Sequence, residues 1–161
     1  MEQKTKTKDL MTSLKPPAKV TKFNKILLDL MVFLLRRGWM GSASDIMMVI
    51  TTTGRKTGRK HTIPIGYLRS GDSLIALNNE GGSHWFQNVL ANGEVTLEIK
   101  GEVIQARGEF VADERERQVI FNLYKKDAKF FQSNFRLPLK SSEEELQKAL
   151  STRKFIRFKR V

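Results

Sequence analysis

The sequence predicts an antiparallel β-barrel with peripheral helices, in an α+β fold of mainly β type. Short β-prone segments follow one another between Ile46 and Val111, and most are separated only by turn residues. Stretches with helical periodicity precede, interrupt and follow these segments, so the helices should lie around the sheet. Strands joined by short turns pair in antiparallel order, and closing the sheet protects their edges. A chain of 161 residues with 40% hydrophobic content is long enough to bury one substantial core.

The N-terminal region divides into an arm and a helix. Residues 1–20 carry five lysines and the pair Pro16-Pro17, which predicts a flexible basic arm ahead of a single domain at 21–161. Thr21 to Arg37 is predicted to be a helix, because apolar residues recur at helical spacing from Phe23 to Leu34. This apolar stripe is wider than one core contact needs. The helix is therefore either buried on most sides, packed against a second subunit, or laid on an acidic membrane surface through its basic ends.

Turn and cap signals place the remaining elements. Lys100-Gly101 lies between two alternating segments and predicts a β-hairpin. The cap signals are a left-handed stop at Asn92-Gly93 and capping-box patterns at Asp113 with Glu116 and at Ser142 with Glu145. The strands are predicted at 46–53, 62–69, 73–77, 95–100, 102–111 and 154–161. The helices after the first are predicted at 84–90, 113–125 and about 142–150.

The composition narrows the classes of function. A formal charge of +12 favours an anionic partner, such as an acidic small molecule, nucleic acid or acidic lipid. The chain has no cysteine, which excludes disulfides, thiolate metal sites and cysteine nucleophiles. With only two histidines, His61 and His84, a metal site is not expected. The N-terminus lacks the apolar core of a secretory signal, so we expect a cytoplasmic location, with peripheral membrane association as an open addition.

The most distinctive segment runs from Thr51 to Pro64 and reads TTTGRKTGRKHTIP. Glycines let the backbone approach a ligand closely, successive turn amides can bind an anion, and Arg and Lys add charge-assisted hydrogen bonds. The segment therefore either binds a polyanionic ligand or is a solvated basic hairpin loop. Its four cations are Arg55, Lys56, Arg59 and Lys60.

A second constellation follows the third predicted strand, at Asn78-Asn79-Glu80-Gly81-Gly82-Ser83. Its Gly-Gly pair leads into a helix N-terminus, where free amides and the helix dipole favour an anion. On that helix Trp85 could cover a planar ring, and Asn88, one turn on, could hydrogen-bond the ring edge. The alternative is an ordinary turn and a helix that packs Trp85 and Val89 into the core. His84 is a candidate acid or hydrogen-bond donor.

The segments TTTGRKTGRKHTIPIGYLRSGDSLIAL and EGGSHWFQNVLANGEV together resemble the deazaflavin-dependent nitroreductase family. That family belongs to the flavin and deazaflavin oxidoreductases, which have a split β-barrel of the pyridoxamine-phosphate-oxidase type. The resemblance implies a reductase of quinone-like, nitroaromatic or enone substrates that uses coenzyme F-420, a deazaflavin with a phosphate and an oligoglutamate tail. It implies a cofactor site with Arg55 and Lys56 at the phosphate and tail, Pro64 beside the ring, Asn79, Gly81 and Gly82 in the facing turn, and Trp85 and Asn88 in the ring pocket. Arg59, Lys60 and His61 are further candidate cofactor-binding residues on the same loop.

Departures from the family pattern keep other readings open. His61 stands where many members have arginine, and Glu80 where some have lysine, so FMN or haem is the alternative cofactor for the same fold. The proton donor is unassigned, with His84 and Tyr124 as candidates. A nucleic-acid-binding module is a different class of function, supported by the net charge and the alternating basic strand near the C-terminus. Otherwise the expected partner is a small-molecule substrate, with a dimer as an open state of assembly.

Overall fold

Seven strands form one curled antiparallel sheet. The computed structural model describes residues 9–10, 14, 19, 21–79 and 82–161, so most of the predicted arm lies outside the described residues. The strands are β1 (Met47–Thr53), β2 (Lys60–Gly66), β3 (Leu68–Ser70), β4 (Ser73–Asn78), β5 (Glu94–Ile99), β6 (Glu102–Phe110) and β7 (Lys154–Arg160). Their order across the sheet is β2-β1-β5-β6-β7-β4-β3. The sheet curls into a half-barrel, and its two edge strands, β2 and β3, are consecutive in the chain. The predicted antiparallel split β-barrel is confirmed.

Within the described residues from 21 onward, five α-helices lie around this sheet, and none of them has the length and apolar character required to cross a bilayer. They are α1 (Lys22–Arg36), α2 (His84–Ala91), α3 (Glu114–Tyr124), α4 (Ala128–Phe135) and α5 (Glu143–Thr152), and a short 3-10 turn spans Gly41–Asp45. Thr21 caps α1 by accepting a hydrogen bond from the Asn24 amide at 3.2 Å. The capping box of Ser142 and Glu145 opens α5, as predicted.

Of two predicted turns, the structure confirms one and contradicts the other. The hairpin at Lys100-Gly101 is confirmed, with Ile99 opposite Glu102 and positive φ at both turn residues, 49° and 86°. The predicted left-handed helix stop at Asn92-Gly93 is wrong, because Asn92 is extended, with φ −143° and ψ 106°, and Gly93 does not have a positive φ. Its side chain instead accepts a hydrogen bond from the Glu94 amide at 3.1 Å, which leads the chain directly into β5.

The last strand lies in the middle of the sheet, between β6 and β4. Phe155 and Phe158 point to opposite faces and are both almost fully buried, at 0% and 1% exposure. Arg157 forms ion pairs with Glu109, at 3.3 Å, and with Glu116. The predicted basic face is therefore interrupted by Phe155 and partly neutralised. Neither phenylalanine is available for base stacking, so this strand does not offer the exposed aromatic side chains that single-strand binders use.

Two hydrophobic cores lie on the two sides of the sheet. The inner core fills the half-barrel and includes Met48, Phe86 and Phe158. The outer core lies between the sheet and α3, α4 and α5, and is rich in aromatic residues such as Phe121, Phe131 and Phe135. A smaller cluster joins α1 to β1. The helix α1 is not buried on most sides within this chain, because a row of its apolar side chains is exposed.

Candidate functional site

The cationic loop, residues 54–60, joins β1 to β2 with a fixed hairpin geometry. The strands pair up to the last residue on each side, with Thr53 opposite Lys60. Within the loop the Gly54 amide donates to the Arg59 carbonyl at 2.7 Å, and the Gly58 amide donates to the Gly54 carbonyl at 2.8 Å. The loop is therefore a turn closed by its own backbone hydrogen bonds.

Both glycines of the loop are needed for this shape. Gly58 has φ +68°, in the left-handed region that other residues adopt only at a cost. At Gly54 the constraint is space, since a Cβ there would lie 2.8 Å from Nε2 of His61 and 3.0 Å from Oγ1 of Thr57. His61 thus packs its ring edge against the backbone at the start of the loop.

The loop carries positive charge that no described carboxylate neutralises through a salt bridge. Lys56, Arg59 and Lys60 are exposed, and Arg55 is half-buried. Among the residues that the structure describes, no carboxylate forms a salt bridge with any of these four side chains. Lys60 donates instead to the Thr53 hydroxyl at 2.9 Å. Four cations within six residues, without an acidic partner in the described chain, favour binding of an anion.

Asn88 connects this loop to α2. Its side chain is buried, with 3% exposure, and its Oδ1 accepts from the Arg55 amide at 3.2 Å and from Arg55 Nη1 at 3.0 Å. Its Nδ2 donates to Oγ1 of Thr52, which is also buried, at 3.1 Å. All the polar atoms of the Asn88 carboxamide thus serve to hold the loop. Sequence reasoning placed Asn88 at a ring edge and missed Thr52 altogether, and a β-strand threonine carries no signal that would single it out.

His84 lies close enough to the loop for the loop's positive charge to lower its pKa. It is the first residue of α2 and is exposed. Partial burial lowers the pKa of His84 below its usual 6.5, and the nearby positive charges of Arg55, His61 and Lys56 lower this pKa further. The imidazole is therefore neutral at pH 7, where it can accept a hydrogen bond or a proton. It is poorly suited to act as a cationic acid in the free protein.

The turn before α2 is ordered around Asn78. The Ser83 hydroxyl donates to Oδ1 of Asn78 at 2.6 Å, and Asn78 Nδ2 donates to the Asn79 carbonyl at 3.0 Å. Oδ1 of Asn79 is buried and has no hydrogen-bond partner among the described residues. Gly82 is buried at the start of the helix, while Glu80 and Gly81 lie outside the described residues.

The remaining predicted site residues lie in the protein interior. Trp85 is 8% exposed and belongs to the inner core, with its ring edge-on to Phe86 at 5.9 Å between centroids. Pro64 is buried in β2 opposite Val49. Tyr124 is fully buried in the outer core, where burial raises the pKa of its hydroxyl. The structure thus brings together the loop, His61, His84 and Asn88, but it places Tyr124 elsewhere.

Three solved structures illustrate the similarity of this fold to known proteins. A protein of unknown function from Agrobacterium tumefaciens str. C58 has a TM-score of 0.53 and 12% identity, over 91% of this chain and 58% of that one. A candidate 5-nitroimidazole antibiotic resistance protein from Bacteroides thetaiotaomicron has a TM-score of 0.50 and 11% identity, over 72% of this chain and 74% of that one. An F420-H2 dependent reductase, FDR-A, has a TM-score of 0.45 and 19% identity, over 69% of this chain and 92% of that one. At these identities the likeness concerns the fold alone, and the first two structures carry it.

A family model gives the more specific result. Residues 36–134, more than half of the chain, match the model of the F420H(2)-dependent quinone reductases. The matched range contains the whole cationic loop, the turn before α2, and Asn88. The chain therefore belongs to the F420H(2)-dependent quinone reductase family and is an F-420-dependent oxidoreductase.

Proposed function

We propose that this protein uses reduced coenzyme F-420 to reduce quinone-like acceptors, and that the cationic loop binds the acidic part of the coenzyme. The observation that carries this assignment is the set of four loop cations without an acidic partner in the described chain. Asn88 anchors the loop that carries them, by accepting hydrogen bonds from the backbone amide and the guanidinium of Arg55. A solvated basic hairpin loop does not require a buried anchor. The Asn88 anchor therefore favours a loop that binds an anionic ligand.

The residues present fit the chemical groups of the coenzyme. Its phosphate and glutamate carboxylates require cationic donors, and Lys56 and Arg59 present such donors to solvent. A hydrogen bond to a charged group contributes about 1.5–3 kcal/mol, so a few such contacts support micromolar affinity. The unpartnered Oδ1 of Asn79 is a buried acceptor that suits an N–H donor of a bound ring.

The chain's own contribution is binding, orientation and control of the proton. The bound coenzyme supplies hydride, and the reduction of a quinone to a hydroquinone also consumes one proton. Tyr124 is buried in the outer core, so we do not assign it as the proton donor. In the free protein the lowered pKa of His84 favours the neutral imidazole. We therefore assign the proton to solvent, and we assign His84 the role of accepting a hydrogen bond at the site.

The cofactor assignment is tested by parallel titration of the purified protein with coenzyme F-420, FMN and haem. We expect a change in deazaflavin fluorescence at micromolar concentration and weaker or no response with the other two. Turnover is then measured under anaerobic conditions with a soluble quinone, a nitroaromatic and an enone. We expect the quinone to have the highest kcat/KM. Equal or tighter binding of FMN or haem would overturn the cofactor assignment, and turnover restricted to the nitroaromatic would overturn the acceptor class.

The role of the loop is tested with a charge-matched pair of variants. Arg55→Ala with Lys56→Ala removes two cations from the loop. Arg115→Ala with Lys126→Ala removes the same charges from α3 and the turn after it, where both residues are exposed. A tenfold change in Kd corresponds to about 1.4 kcal/mol. Because it loses charge-assisted hydrogen bonds, we expect the loop variant to bind the coenzyme at least roughly tenfold more weakly than the wild type. The control variant should bind the coenzyme as the wild type does. Equal weakening in both variants would show that only net charge matters.

A further inference from the structure

We infer that Lys154 binds the electron acceptor at the rim of the half-barrel, where its ammonium group stabilises the negative charge that the acceptor gains with the hydride. Arg117 contributes a second positive charge beside it. This assignment rests on the proposed quinone reductase function and deepens it, because it names a residue that recognises the reduced acceptor. Both residues lie outside the cationic loop and outside the turn before α2.

The strand register places Lys154 on the rim that carries the coenzyme site. β4 ends at Asn78, which lies opposite Lys154, the first residue of β7. Neighbouring strands are antiparallel, so the start of β7 and the end of β4 lie at the same end of the sheet as the end of β1, where the cationic loop begins. β2 also approaches β4 across the opening of the half-barrel. Around the rim, the turn that follows Asn78 therefore has the cationic loop on one side and Lys154 on the other.

Among the described residues, no carboxylate forms a salt bridge with Lys154. Its side chain is half-buried, and its Nζ lies 3.5 Å from the Ser151 carbonyl oxygen, which is long for a hydrogen bond. Burial lowers the pKa of Lys154, and the positive charge of Arg117 lowers this pKa further. A partly desolvated ammonium beside a second cation is costly, and a bound anion would remove that cost.

The alternative role for Lys154 is to neutralise the C-terminal end of α5, where the last helix carbonyls carry partial negative charge. Arg117 already fills that role, because its Nη2 donates to the carbonyl of Leu150 and, at 3.1 Å, to the carbonyl of Arg153. These contacts hold the guanidinium of Arg117 in place, so its charge stays beside Lys154. The ammonium of Lys154 is therefore the group that is left to bind a ligand.

Reduction of a quinone creates the kind of anion that such an ammonium binds. The hydride brings two electrons to the acceptor, and one oxygen of the former quinone then carries a negative charge until a proton arrives from solvent. An ammonium that is hydrogen-bonded to that oxygen stabilises the charged state more than the neutral quinone, which is the condition for faster transfer. Lys154 keeps its proton throughout, so the products are the oxidised coenzyme and, after protonation by solvent, the hydroquinone.

Equilibrium binding of an anionic quinone to the full chain tests this role without turnover. The probes are lawsone, a hydroxynaphthoquinone that is an anion at neutral pH, and its uncharged methyl ether, each titrated with and without saturating oxidised coenzyme F-420. We expect the wild type to prefer the anion by about tenfold or more. Lys154→Met and Lys154→Gln should lose that preference, and Lys154→Arg should keep it. Lys148→Met, at an exposed position of α5, is the matched control and should bind both probes as the wild type does.

An unchanged preference for the anion in Lys154→Met would overturn the role of Lys154. So would a preference that is lost in Arg55→Ala with Lys56→Ala but kept in Lys154→Met, because the anion would then bind at the cationic loop.

Steady-state kinetics give a second readout. At saturating coenzyme, kcat for quinone reduction should fall at least about tenfold in Lys154→Met, while the Kd of the coenzyme stays the same. A raised Kd of the coenzyme with a normal kcat would overturn the assignment, because Lys154 would then contact the glutamate tail. A wild type that reduces no quinone would overturn the proposed function, whereas equal turnover in Lys154→Met and the wild type would overturn only the role of Lys154.

Discussion

The carboxamide oxygen of Asn88 accepts hydrogen bonds from the Arg55 backbone amide, at 3.2 Å, and from the Arg55 guanidinium, at 3.0 Å. A buried residue of α2 therefore fixes both the backbone and the side chain of the first cation in the loop. Asn88 is itself held by Thr52 at 3.1 Å, so these three residues link β1, the cationic loop and α2. The loop presents its charge from a rigid base rather than from a free hairpin tip.

Substitution of Asn88 should separate stability from anion binding. Asn88→Ala leaves the part-buried donors of Arg55 and the buried acceptor oxygen of Thr52 without partners, so the free energy of unfolding should fall by about 1–3 kcal/mol in urea denaturation. Asn88→Asp keeps an acceptor for Arg55 and can accept from the Thr52 hydroxyl, but its charge neutralises the loop. We expect it to fold well and bind the coenzyme more weakly. Asn122→Ala, at an exposed helical position, is the control. An equal loss of unfolding free energy in Asn122→Ala and Asn88→Ala would contradict the role of Asn88 as the anchor of the loop.

The contact between Gly54 and His61 should be visible in a double-mutant cycle. Gly54→Ala introduces a Cβ 2.8 Å from Nε2 of His61, so either the ring must move or the loop must shift. In a His61→Ala background that obstacle is absent, and the destabilisation by Gly54→Ala should be smaller. Thr57, at 3.0 Å, would still leave a residual cost. Additive free energies of unfolding across the cycle would mean that the ring does not constrain the loop.

The titration of His84 should report the charge on the loop. Its pKa is lowered by burial and then by Arg55, His61 and Lys56, so NMR should find it below 6.5 in the free protein. Arg55→Ala with Lys56→Ala should raise the pKa, and so should saturation with the acidic coenzyme. By linkage, coenzyme affinity should then increase as the pH falls through the pKa of His84. A pKa that does not change on saturation would place the acidic groups of the coenzyme away from the loop.

Tyr124→Phe should leave activity unchanged. The Tyr124 hydroxyl is buried in the outer core without a hydrogen-bond partner among the described residues, and the Phe135 ring centroid lies 5.3 Å from its own. Removing an unsatisfied buried hydroxyl should keep the free energy of unfolding the same or raise it by up to about 1 kcal/mol. Steady-state kinetics and thermal unfolding check both expectations. A tenfold loss of kcat with normal folding would restore Tyr124 as a candidate proton donor.

Local sequence signals predicted most of the helices, strands and turns. They failed where contacts between distant segments determine whether an element forms and where it ends. The hairpin at Lys100-Gly101 and the cap at Ser142 were predicted because turn and cap chemistry are encoded within a few residues. The predicted strand at 62–69 is interrupted at Tyr67, whose amide donates to the Ile46 carbonyl at 2.9 Å. The helix α4 was missed, because its phenylalanines face an aromatic core assembled from distant segments.

The candidate site shows the same division. The cations and glycines of the loop stand together in the sequence, so their concentration of charge was predictable. The anchor was not, because Asn88 and Thr52 are 36 residues apart and meet only when α2 packs against β1. For Trp85 the sequence left two alternatives open, a cover for a bound ring or a core position, and the structure places its large apolar surface in the inner core.

The central claim is that the cationic loop binds the acidic part of the coenzyme, and a thermodynamic cycle over the loop and that acidic part tests it most directly. Intact coenzyme F-420 and its deazaflavin chromophore without phosphate and glutamates are each titrated into the wild type and into Arg55→Ala with Lys56→Ala. Wild type should prefer the intact coenzyme by at least about tenfold, and the variant should lose most of that preference while binding the trimmed chromophore as the wild type does. An unchanged preference in the variant would contradict the account.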